Sequence, residues 1–154
     1  MARLPYQVLV MPFRYAEGGG IKYALLERRG GRGWGAITGG GEDGDESPLE
    51  TARRRAHEEA SISREYQFMA LASFSTWPAE AVAGFLAWGP DVLVIPEYAF
   101  AVEVQRAGEI VLSAENTAYE WLDYPLAVRR LRSDSHRNAL WELDYRLRRR
   151  GQAT

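Results

Sequence analysis

The chain has no cysteine, which excludes disulfides, thiolate zinc sites and a thiol nucleophile. That absence fits a reducing compartment. It also has little excess charge of either sign. With 19 Lys and Arg against 21 Asp and Glu, the formal net charge is -2. Nothing there gives a general pull toward nucleic acid or an anionic membrane, so any phosphate binding must be local. Long apolar runs are missing too. The longest, Ala81 to Trp88, contains a glycine and is far too short to cross a bilayer. At the N-terminus Arg3 is followed by Tyr6 to Phe13, too short for a secretory core and without a small-residue cleavage site. The expected compartment is the cytoplasm.

What remains is an ordinary globular composition, 46% hydrophobic and 26% charged over 154 residues. That length suits one domain, 1–154, able to bury about 70% of its unfolded surface. Tyr6 to Arg14 and Ile21 to Arg28 are β-rich runs separated by Glu17-Gly18-Gly19-Gly20, which predicts a hairpin. Arg28 to Gly33 predicts a second turn, its arginines Arg28, Arg29 and Arg32 a solvated tip, with contact to phosphates as the alternative. Trp34 to Thr38 predicts a short strand. Further strands are expected over Tyr66 to Trp77, Tyr98 to Gln105, Ile110 to Leu112 and Tyr119 to Leu122. Asp134 to Arg149 predicts a closing helix with Ala139, Leu140, Leu143 and Leu147 on one stripe. Strands flanking a helix, with a second helix last, predict an α/β fold with helices on both sides of a mixed sheet.

The chemistry concentrates in Gly40 to Ile62, GGEDGDESPLETARRRAHEEASI. A glycine-rich acidic loop runs into a helix whose start is marked by Ser47 as cap, Pro48 in the first turn and Glu50 to complete a capping box. Leu49, Ala52, Ala56 and Ala60 form the apolar face, and three alanines let the helix sit close to a sheet. Arg54, Arg55, Glu58 and Glu59 lie on the other side. Adjacent carboxylates after such a loop suit a hard divalent cation holding a polyphosphate. The plain alternative is a solvated face laced by the i,i+4 pairs Glu50/Arg54 and Arg55/Glu59.

The spacing resembles the Nudix box, in which Gly, Glu, Arg-Glu, Glu-Glu and a closing Gly recur at fixed intervals. Gly40, Glu46, Arg54, Ala56, Glu58, Glu59 and Ile62 fall at their places; Arg55 stands where the family has Glu, and Ser61 where it usually has Gly. Ile37 to Gly40, Glu97 to Phe100, Ser113 to Asn116, Tyr119 to Leu122 and Asp134 to Arg137 resemble the branch that hydrolyses dATP or dihydroneopterin triphosphate.

The resemblance implies an α/β/α sandwich and a pyrophosphohydrolase using Mg2+, or Mn2+, to cleave a nucleoside- or pterin-type triphosphate into monophosphate and pyrophosphate. It implies Glu58, Glu59, Glu115 and Gly40 as metal ligands, with Glu58, Glu59, Glu115 and Arg54 as the catalytic set. Arg54 is expected to orient a carboxylate, most simply Glu46, while Asp43 and Asp45 are expected to be solvated. Gly40, Arg55, Trp34 and Glu97 are candidates for substrate binding, with Phe74 and Trp77 as further stacking rings. His57 and His136 read as structural. Arg55 reverses a charge beside the acids, so a module that binds a nucleotide without cleaving it is the rival expectation. An isoprenoid isomerase of this fold is disfavoured, since it would need a cysteine. The chain is expected as a monomer or homodimer, without membrane or nucleic-acid partners.

Overall fold

The computed structural model describes residues 2–152. Strand β1 (Arg3–Tyr15) is the hub of the sheet. It pairs antiparallel with β2 (Ile21–Arg28) through the Glu17 to Gly20 hairpin, and antiparallel with β4 (Ile37–Glu42). Its third partner, β6 (Val94–Glu103), runs parallel to it. The two-residue β3 (Trp34–Gly35) borders β2, β5 (Phe68–Pro78) borders β6, and β7 (Asn116–Leu122) pairs with β2. Among the described residues, seven strands thus make one mixed sheet.

Alternation along β1 sends its side chains to two cores. Val8 and Val10 meet Ala52, Ala56 and Ala60 of helix α1 (Pro48–Ala60), all fully buried. Leu9 and Met11 meet Ala139, Leu140, Leu143 and Leu147 of the last helix, α3 (Asp134–Gln152). A short α2 (Tyr124–Arg130) covers the same side through Ala127. The expected α/β arrangement, a mixed sheet between helices, is therefore what forms.

Three local readings change. The glycines of Gly39-Gly40-Gly41 lie within β4 rather than in a loop. Ile110 to Leu112 is not a strand, because its backbone is drawn to the end of α1. Val111 N–H donates to Ala60 O (3.1 Å) and Ser113 N–H to Glu59 O (3.0 Å). Helix α2 was not expected, although Asp123 caps it by accepting from the Leu126 N–H at 3.2 Å.

Candidate active site

Helix α1 starts as its sequence prescribes, with Ser47 accepting from the Glu50 N–H at 3.2 Å and Pro48 in the first turn. Glu50 itself turns to Arg53 (3.9 Å), so only half of the capping box forms. The helix ends on Ser61 at φ 59°, where the left-handed backbone favours glycine. Its N–H groups of Ser61 and Ile62 close back on His57 O and Ala56 O.

Arg54 grips the entry to the helix. Its Nη2 donates to Asp45 Oδ2 (2.9 Å) and to Gly40 O (2.9 Å), and its Nη1 donates to Glu58 Oε1 (2.9 Å). The carboxylate it orients is Asp45, not Glu46, which is exposed. Asp45 is not a solvated acid either. Its Oδ2 also accepts from the Glu42 N–H (3.0 Å) and Thr51 Oγ1 (2.8 Å). Burial raises the Asp45 pKa, but the hydrogen bonds from Arg54, Glu42 and Thr51 outweigh it and hold the group below the usual carboxylate range.

Arg55 takes the place at which the acids converge. Nη1 donates to Glu58 Oε1 (3.0 Å), while Nη2 donates to Glu59 Oε2 (2.8 Å) and Glu115 Oε2 (3.0 Å). Nε and Nη2 each lie 3.2 Å from Thr38 O. Gly39 makes this possible, because a side chain there would collide with the Arg55 side chain lying across β4. Burial works against the Arg55 charge, yet Glu59, Glu115 and Glu58 prevail and raise its pKa. Beneath it, Glu59 is fully buried, and its Oε1 accepts from Arg28 Nη1 (2.7 Å) and Asn116 Nδ2 (3.0 Å). Arg28 also donates to Thr38 Oγ1 at 2.5 Å. It is thus anchored inside the site rather than at a solvated turn.

Glu115, Arg28 and Arg55 border a chamber of about 720 Å³ floored by Thr38, Gly39 and Gly40, and neither Glu58 nor Glu59 is among its lining residues. Arg3, Arg28, Arg32 and Arg55 line it against only Glu42 and Glu115. A smaller chamber of about 210 Å³ shares Gln7, Arg28, Arg32, Thr38 and Trp77 with it. Trp34, Glu97 and His136 line that second space. The candidates therefore divide. Glu115, Gly40 and Arg55 line the large chamber; Trp34 and Glu97 line the small one, and Trp77 lines both. Phe74 lies in a further cavity against α3, which Glu97 also borders. The Arg130 guanidinium covers one face of Trp34, 4.9 Å from the ring centroid. His57 is exposed, while His136 is buried with Nδ1 accepting from the Ala36 N–H at 3.2 Å.

The divalent cation implied by the box calls for free oxygens on Glu58, Glu59, Glu115 and Gly40. In this arrangement the Gly40 carbonyl, Glu58 Oε1, both oxygens of Glu59 and Glu115 Oε2 all accept hydrogens from arginine, with Asn116 aiding at Glu59. Among the described residues no group of three or more His, Asp or Glu side chains is disposed to hold a metal ion. The donor set as it stands does not fit a divalent cation. A guanidinium sits where the charges meet.

The profile of the NUDIX domain family matches residues 5–142, and the chain belongs to that family. A Listeria monocytogenes structure described as a Nudix hydrolase is 31% identical and superposes with a TM-score of 0.82, covering 96% of this chain and 97% of that one. The Escherichia coli dihydroneopterin triphosphate pyrophosphohydrolase is 25% identical with a TM-score of 0.70, over 91% of this chain and 94% of that one. An octanoyltransferase of Myxococcus xanthus is 37% identical over 109 residues. The match covers 70% of this chain and 28% of the length of that relative. Among the described residues no helix is long and apolar enough to cross a membrane.

Proposed function

We propose that the large chamber binds the phosphate chain of a nucleoside- or pterin-type polyphosphate, and that arginine supplies the positive charge in place of a metal ion. The observation carrying this reading is Arg55 bonded at once to Glu58, Glu59 and Glu115, with Arg3, Arg28 and Arg32 facing the same space. Guanidinium groups match phosphate oxygens in charge and geometry. Gly39 and Gly40 leave room for the Arg55 and Arg3 side chains to lie against β4 at the floor of this space. Arg54 and Asp45 act as positioning residues that fix the start of α1 against β4. In this reading the chain holds a nucleotide-like ligand, and its hydrolytic capacity is impaired by the occupied acids.

A second reading is favoured by the family and by the named activity of the Escherichia coli relative. It is hydrolysis of the phosphoanhydride to monophosphate and pyrophosphate, assisted by Mg2+ or Mn2+. Glu115, half exposed at the chamber, would then accept a proton from the attacking water after Arg55 withdraws. Titration of the protein with nucleoside triphosphates, with and without EDTA, alongside assay of pyrophosphate release against a Glu58→Gln control, separates the two. Binding that survives EDTA with no release supports the first. Release that needs Mg2+ and vanishes in the control supports the second.

A further inference from the structure

Glu97 sits in the middle of the sheet, opposite Gln7 on β1 and Ser75 on β5, with 1% of its surface exposed. Its two oxygens are treated unequally. Oε2 accepts from Gln7 Nε2 at 2.6 Å and from Trp77 Nε1 at 3.0 Å. Oε1 is buried and receives no donor among the described residues. A buried carboxylate oxygen without a partner is costly, and proteins normally satisfy both oxygens. Here two donors crowd onto one oxygen, while the same side chain lines the 210 Å³ chamber.

We infer that Glu97 reads the edge of a nitrogen heterocycle in the small chamber, selecting the 2-amino-oxo pyrimidine edge shared by guanine and pterin rings. This rests on the polyphosphate reading above and adds the class of the ring. The volume suits a planar ring system, since one water occupies about 30 Å³. Trp34 and Trp77 provide aromatic walls. The five residues common to both chambers make them one continuous cleft, so the ring and its phosphates lie in adjoining spaces.

The chemistry of the edge decides the class. An ionised carboxylate only accepts hydrogen bonds. Guanine and pterin offer it a ring N–H beside an amino group, two donors side by side. Adenine and cytosine offer one amino donor beside a ring nitrogen whose lone pair the carboxylate repels. His136 stands in the same chamber with Nδ1 engaged by the Ala36 N–H. In its neutral form it therefore carries its proton on Nε2, a further donor. A site built around a buried polar group discriminates strongly against ligands that leave it unpaired.

The test is calorimetric titration of the intact protein, in EDTA, with inorganic triphosphate, GTP and ATP. GTP is expected to bind at least tenfold more tightly than ATP. In Glu97→Gln, which keeps the shape and the Gln7 and Trp77 neighbours, that advantage should disappear while triphosphate affinity stays unchanged. Equal affinities for GTP and ATP in the natural protein would overturn the inference, whether or not the variant folds. So would a GTP preference that persists in Glu97→Gln. In the natural protein, absence of inorganic triphosphate binding beside a GTP preference that Glu97→Gln abolishes would instead strike the polyphosphate reading and leave the role of Glu97 standing.

Discussion

Arg55 Nη2 lies 2.8 Å from Glu59 Oε2 and, through the same nitrogen, 3.0 Å from Glu115 Oε2, joining helix α1 to the turn before β7. One guanidinium thereby neutralises carboxylates that are 56 positions apart in the chain. Replacing it by the family residue, Arg55→Glu, removes that cation and adds a fourth acid. We expect Mn2+ binding to appear or strengthen by at least tenfold, read by electron paramagnetic resonance of free Mn2+ without any turnover. Unchanged Mn2+ affinity would mean that Arg55 does not control the acids.

The glycine at position 39 provides the space Arg55 uses. In Gly39→Ala the added methyl collides with the Arg55 side chain, which must leave its path across β4. Triphosphate affinity is expected to fall tenfold or more, with a smaller loss of stability of about 1–3 kcal/mol from overpacking. Native affinity in a folded Gly39→Ala protein would show that the position of Arg55 does not matter for binding.

Glu59 is fully buried and depends on Arg28, Arg55 and Asn116. Arg28→Met withdraws one of the three and leaves part of a buried charge uncompensated. Chemical denaturation should register a loss of about 2–4 kcal/mol, near the range for broken buried pairs. Glu59→Gln in the same background should recover part of that loss; no recovery would sink the account.

Two groups make stability depend on pH in the same sense. Asp45 has its pKa held down in the fold, so its contribution is complete above the ordinary carboxylate value and is lost as pH falls through the folded value. His136 is pushed below its ordinary 6.5 by burial, with Arg28 adding and Glu97 opposing. Below 6.5 the unfolded chain takes up a proton that the folded chain refuses, so stability declines as pH drops from that point. Denaturation midpoints measured from pH 8 downward should stay level, bend near 6.5 and fall further in the carboxylate range. In His136→Gln the upper bend should vanish.

Much of the frame was legible because its signals are local. The β-rich run Tyr6 to Arg14 marked a strand, and Ser47-Pro48 marked the start of α1. Helix α2 had a comparable start in Asp123 followed closely by Pro125, but its seven residues leave almost no period to read. The site was legible as a set of residue types and not as a set of partners. Arg28 reaches Glu59 from β2, which is bulged against β7 near Glu27 and shares a core with α1 through Ala24 and Leu26, a relation no spacing records. Arg54 chooses Asp45 over Glu46 because Asp45 also caps the Glu42 N–H, which holds its carboxylate in place. Arg3 carries no local sign of a place in the site, because it enters the chamber from the first residue of β1.

The position of β1 at the hub has a consequence for synthesis. Its parallel partner β6 ends at Glu103, and its neighbours β2 and β4 leave it unsupported on that side until then. A nascent chain emerging at about 5–20 residues per second must therefore keep its first strand waiting for several seconds with an open hydrogen-bonding edge. Chains stalled before Glu103 has cleared the ribosome should recruit chaperones and resist compaction, while those stalled shortly after β6 emerges should begin to protect β1 from proteases.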